Sequence, residues 1–237
     1  MHFICSSNKL VCFFIAQSFV FANLQAQNAA KPDCFIEGGL RYGYALHHPS
    51  DYTYLKNLYF NSYEVRFGLQ TSGERAWEHL AGKPILGVAL RFTDYTDFGD
   101  SPEQQKLQRE IMGKNIALFG YIQAPIVRWK FFTWHYQIGM GAAYFTKIFD
   151  EKYAGDDNRE NGLVSMRVNP YINLQSGFDF KLNDKFDIAL NANFMHSSNA
   201  SLNFPNWGIN EIQGIASLRY HLNAKDLPAR NSIASDI

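Results

Sequence analysis

The sequence is poor in cysteine, in charge and, beyond its N-terminus, in long apolar runs. Only 3 Cys occur in 237 residues. Two of them, Cys5 and Cys12, fall in an expected leader, so Cys34 would stay alone and no intrachain disulfide can staple the mature fold. Charged residues are 19% of the chain, and 22 Lys+Arg balance 22 Asp+Glu. That balance excludes a nucleic-acid footprint, which needs a clustered basic surplus. It also excludes a disordered polar tail protein, because 46% of residues are hydrophobic. After the leader no segment approaches the ~20 apolar residues of a membrane-spanning helix, so any membrane role must come from a barrel.

What the chain has instead is aromatic surface, with 20 Phe, 13 Tyr and 4 Trp spread through otherwise polar sequence. The first segment, 1–26, reads as a secretory signal: Lys9, an apolar run from Leu10 to Ala22, and small-residue exits after Ala22 or Ala26. The run is too short for a membrane anchor. Residues 27–222 then read as one barrel domain, and 223–237 as a flexible polar tail in the periplasm.

Alternation carries the fold. Segments near 34–46, 60–70, 84–94, 114–125, 131–146, 166–180, 185–198 and 208–222 read as strands. In 131–146 the even positions are Phe132, Trp134, Tyr136, Ile138, Met140, Ala142 and Tyr144, against Thr133, His135, Gln137, Gly139 and Gly141. In 166–180 Val168, Pro170, Ile172, Leu174, Phe178 and Phe180 oppose Arg167, Asn169, Asn173, Gln175, Gly177 and Asp179. The fold class is therefore all-β, an eight-stranded antiparallel transmembrane β-barrel. A secreted soluble barrel is the competing reading, with the apolar face inward. The polar face disfavours it: glycines plus Glu37, Arg41, Glu64, Arg66 and Arg219 suit the tight lumen of a small barrel. Aromatics on the other face suit membrane girdles.

With the N-terminus in the periplasm, 47–59, 95–113, 147–165 and 199–207 become outward loops, and 71–83, 126–130 and 181–184 inward turns. The 71–83 segment is long for a turn and reads as a short helix. Pro170 lacks a donor inside a closed barrel, which predicts a bulge there.

Strand 185–198 places His196 and Ser198 on its apolar side. Two residues apart on a strand, they point the same way with backbones ~6–7 Å apart, so an imidazole nitrogen can reach the hydroxyl. A serine nucleophile needs such a base, and the base needs a third group to fix its tautomer. The surrounding string runs from His196 through Ser198-Asn199 and Pro205-Asn206-Trp207-Gly208 to Asn210-Glu211. This string resembles the PagL family of outer-membrane lipid A 3-O-deacylases, whose pattern is His-x-Ser-Asn followed by Pro-Asn-x-Gly before the last strand.

The resemblance implies that Ser198 is the nucleophile and His196 the general base, with Asn199 and Asn206 holding the oxyanion or the site loop. It implies hydrolysis of the 3-position ester-linked acyl chain of lipid A, with no cofactor. There are departures. The family's Glu two residues after the Gly is Asn210 here, and Ser201 stands where the family often has Gly. Parity puts Asn210 on the His196 face and Glu211 in the lumen, which favours Asn210 as the orienting group; a bulge would reverse that choice.

The implied partners are lipopolysaccharide in the outer leaflet of a Gram-negative outer membrane and no nucleic acid, with a homodimer left open. No metal site is expected, because His47-His48 would point to opposite faces of a strand and Asp156-Asp157 lack calcium-loop spacing. The competing functions are a non-catalytic barrel of the OmpA or OmpX sort and, less favoured, a small-solute pore.

Overall fold

The computed structural model of the chain describes residues 32–46, 58–98, 102–150 and 161–223. The expected leader, the tail beyond Asn223, His47-His48 and Asp156-Asp157 lie outside these residues. The strands are β1 (Asp33–Leu46), β2 (Tyr59–Gln70), β3 (Ile85–Phe98), β4 (Lys114–Arg128), β5 (Phe132–Phe145), β6 (Val168–Lys181), β7 (Phe186–Ser197) and β8 (Ile209–His221). They form a closed barrel in chain order, each antiparallel to its neighbours, and β8 returns to pair with β1. Helix α1 (Ala76–Leu80) fills the β2–β3 turn, where the sequence predicts a short helix, and α2 (Pro102–Ile111) lies between β3 and β4.

Alternation sorts the side chains as the pattern requires. In β5, Trp134, Tyr136, Ile138, Met140 and Tyr144 face outward while His135, Gln137 and Ala143 are buried. Outward residues stay open, with Leu40 at 65% and Leu118 at 61% exposure. A soluble barrel would hide this face, so the outside is a surface for hydrocarbon. Aromatic rings band both ends. Trp129 packs on Phe132 and Phe186 on Tyr220 at the short-turn end, and Tyr42 and Tyr44 pack on Tyr59 at the other.

The lumen is solid with paired charge. Arg41 donates to Glu64 at 2.5 Å and to Gln213 at 3.0 Å. Arg66 bonds the same Glu64, and Gln175 at 2.7 Å. Arg219 donates to Glu37 at 2.9 Å and Asp179 at 3.2 Å. Buried ions persist only when paired in this way. Such filling by side chains is what an eight-stranded barrel's interior allows, and it disfavours a pore. Towards the long-loop end the interior turns apolar, where Phe60, Tyr95, Ile111, Met112, Leu163 and Val164 are buried together.

No bulge forms at Pro170. It faces Ala142 in an unbroken β5–β6 register, and the β6–β7 ladder stops at Tyr171↔Ser197. The Pro170 carbonyl points to the β7 side, where it accepts the Ser197 hydroxyl at 2.9 Å. Its nitrogen points the same way, beyond the last rung, so no ladder bond is lost. The register shifts fall elsewhere, between Tyr59 and Asn61 and between Pro125 and Val127.

Candidate active site

The β7–β8 ladder runs without a shift to its last rung, Ser197↔Ile209, so His196 lies directly opposite Asn210. Both are half-buried and on the lipid side. His196 Nδ1 is 2.8 Å from Asn210 Oδ1, and His196 Nε2 is 3.0 Å from Ser198 Oγ. Because an amide oxygen only accepts, Nδ1 must carry the ring proton. That leaves the Nε2 lone pair free to accept the serine hydroxyl, the tautomer a general base needs.

Glu211 is not part of this group. It is wholly buried in the lumen, where its carboxylate accepts from Arg91 at 2.5 Å, from Gln213 at 2.7 Å and from the Tyr95 hydroxyl. Both of its oxygens accept hydrogen bonds in the lumen, and the unbroken ladder keeps it facing away from His196.

Asn199 and Asn206 meet in the loop that follows Ser198. The Asn199 backbone N–H donates to Asn206 Oδ1 at 3.0 Å. The Asn199 amide, fully buried, donates to Ser165 Oγ and to the Asn203 carbonyl, both at 2.9 Å. Asn199 therefore holds the loop, while the Asn206 amide nitrogen makes no bond among the described residues. Ala200 and Ser201 carry φ of 53° and 62°. These left-handed conformations are unfavourable for residues with a Cβ. Ser201 thus adopts the backbone that glycine would take most readily.

Alternation alone did not reveal the clamp beneath this loop. Gly208 and Trp207 donate their N–H groups to the carbonyls of Leu163 at 3.0 Å and Gly162 at 3.2 Å. Asn161, itself buried, accepts the N–H groups of Leu163 and Val164, both at 3.2 Å. Its amide donates to the Ile111 carbonyl at 3.0 Å, tying α2 to the same segment. The sequence signal was the turn-forming dipeptide Asn161-Gly162. Among the described residues no group of three or more His, Cys, Asp or Glu could hold a metal ion.

Fold and site together define an outer-membrane β-barrel with a Ser–His–Asn hydrogen-bonded set at its lipid-facing outer rim. The model of the lipid A 3-O-deacylase (PagL) family matches residues 61–219, and the chain belongs to that family of outer-membrane lipid A deacylases. Similar solved structures include Neisserial surface protein A, with 6% identity, 79% of this chain and 96% of that one covered, and a TM-score of 0.49. The outer-membrane enzyme PagL has 13% identity, 76% and 97% coverage and a TM-score of 0.43. Ail, the attachment invasion locus protein of Yersinia pestis, has 11% identity, 81% and 99% coverage and a TM-score of 0.39. No curated protein matches the sequence.

Proposed function

We propose that the chain is a serine esterase that hydrolyses the 3-position ester-linked acyl chain of lipid A from the outer leaflet. The observation that carries this reading is the line of contacts Ser198 Oγ, His196 Nε2, His196 Nδ1 and Asn210 Oδ1. Ser198 Oγ attacks the acyl carbonyl carbon as its proton passes to His196 Nε2. Asn210 Oδ1 holds the imidazolium through Nδ1–H. The tetrahedral oxyanion takes a hydrogen bond from the uncommitted Asn206 amide nitrogen. Collapse breaks the bond to the sugar oxygen, which leaves with the proton from His196. Water, activated by the same base, then cleaves the acyl-serine, releasing the fatty acid and restoring Ser198.

A non-catalytic barrel of the OmpA or OmpX sort is the alternative. It gives no reason for an imidazole aligned with serine and amide partners on a face made for hydrocarbon. Lipid A is the partner in this reading, and the comparisons lend no support to a homodimer. The leader at 1–26 and the periplasmic tail at 223–237 belong to the same proposal. The test is mass spectrometry of lipid A from a Gram-negative host expressing either the native chain or Ser198→Ala. Loss of one 3-linked hydroxyacyl chain with the native protein alone is expected. Unchanged lipid A with a folded native barrel, or loss from another position, would overturn it.

A further inference from the structure

We infer that the loop after Ser198 is a lipid-inserted finger: Leu202, Phe204 and Trp207 enter the acyl-chain boundary of the outer leaflet and hold the site loop at that depth. The first observation is exposure. Leu202 is 75% exposed, Phe204 73% and Trp207 52%. These values match Leu40 at 65% and Leu118 at 61% on the barrel's hydrocarbon face. Apolar side chains this open, close together on one loop, call for an apolar surrounding.

The second observation is charge. From His196 to Asn210 the sequence contains no Asp, Glu, Lys or Arg. The segment 147–165 by contrast carries Lys147, Asp150, Glu151, Lys152, Asp156, Asp157, Arg159 and Glu160. An uncharged loop can enter the interface without desolvating an ion.

The third is position. The loop continues the lipid face of β7 and β8, rising directly from Phe194 and Ile212 through His196 and Asn210. Trp207 lies two residues beyond the last rung at Ile209, so it stands no more than about 7 Å above it, the span of two residues at full strand rise. The interfacial zone on each side of the hydrocarbon core is roughly 5–7 Å deep. The loop therefore lies at the height where tryptophan and other aromatic side chains favour the membrane boundary.

The backbone is suited to carrying such a load. Asn199, Asn203, Trp207 and Gly208 all bond to 162–165, so the tip projects from a braced base. The consequence is that lipid contact and the Ser198 hydroxyl keep a fixed spacing. The inference does not rest on the esterase reading, because its readout is depth and not turnover.

The experiment uses the full chain with Trp77, Trp129 and Trp134 changed to Phe, leaving Trp207 as the sole tryptophan, folded into phosphatidylcholine vesicles. Lipids brominated on acyl carbons next to the carbonyl should quench the Trp207 emission more than lipids brominated near the chain ends, as expected for an indole at the boundary. Aqueous acrylamide should quench it weakly. Emission unaffected by brominated lipid and strongly quenched by acrylamide would overturn the inference. Should the triple variant not fold, Trp207→Phe in the native background gives the same answer by difference. Its loss must remove bromine-sensitive emission, and loss of only acrylamide-sensitive emission would count against insertion. Leu202→Ser with Phe204→Ser should lower the bromine quenching of Trp207; unchanged quenching would refute a shared finger.

Discussion

Gly208 is packed so closely on Ser198 that a Cβ built on it would lie 2.9 Å from the Ser198 Cβ. The same atom would meet the Ser197 carbonyl at 3.0 Å and His196 Cε1 at 3.1 Å. The glycine also has φ of 71°, a left-handed backbone that disfavours side chains. Neither Ser197 O nor the base can retreat without breaking the end of the ladder.

Gly208→Ala should therefore displace Ser198 and His196 while costing the barrel about 1–3 kcal/mol, the usual cost of a Cβ residue held in left-handed backbone. Turnover should fall by roughly 10²-fold, as misplacement near 1 Å does. The check is ester hydrolysis alongside heat-modifiable migration on mild-detergent gels. Normal activity in a folded variant would show that the contact does not position the pair.

Ser198→Ala and His196→Ala should each abolish hydrolysis, and the double variant should be no worse, because the two act as one proton-transfer unit. Ser197→Ala should remain active. Its hydroxyl is buried against the Pro170 carbonyl at 2.9 Å, away from the imidazole. An active Ser198→Ala beside a dead Ser197→Ala would reverse the assignment.

Asn210→Ala should lower turnover by about 10-fold or more, since Nδ1–H loses its acceptor and the productive tautomer is no longer selected. Asn210→Asp should retain or raise the rate, because a carboxylate stabilises imidazolium better than an amide. Loss of activity in Asn210→Asp with the histidine intact would count against the orienting role.

Glu211→Gln should act on stability. It leaves the Arg91 guanidinium, 2.5 Å away and fully buried, without its counter-charge, a loss that costs about 3–5 kcal/mol when a buried pair is broken. Thermal unfolding should shift down, while the folded fraction hydrolyses ester normally. A fully stable but inactive Glu211→Gln would require rebuilding the site around the acid.

Asn161→Ala removes the two acceptor bonds that shape 161–164 and the tie to α2. The site loop would then lose its brace, and turnover should drop by about 10-fold with little change in apparent affinity for substrate. Asn161→Asp, which keeps the acceptor for Leu163 and Val164, should recover part of that loss. Equal losses in both variants would limit the role to the Ile111 tie.

Much of this arrangement was legible in the sequence because a period of two assigns every strand residue to a side. Phe194, His196 and Asn210 fall outward by that rule, and Glu211 inward. What alternation does not encode is who meets whom across the loops. The packing of Ile111, Met112, Leu163 and Val164 into one buried cluster depends on segments without a period. So does the bracing of Asn199 by Ser165. Pro170 needs no bulge for a related reason: its missing donor matters only where a neighbouring rung exists, and the end of a ladder is set by pairing. β3 runs on to Phe98, past the 94 that alternation suggests, for the same cause.

His196 and Asn210 sit on adjacent strands of the last hairpin, and Ser198 follows one of them, so the three groups come from a single contiguous stretch of chain. Among the described residues the loop between them is braced from elsewhere by 161–165, a segment itself tied to Ile111. The remaining strands contribute curvature, depth in the bilayer and an interior filled by paired side chains, none of which depends on particular residues touching the Ser198–His196–Asn210 set. Under the proposed function such a division makes the terminal hairpin a portable cassette: placed with its brace on another barrel of the same circumference, it would carry the proposed chemistry with it, and the host wall could diverge freely in sequence.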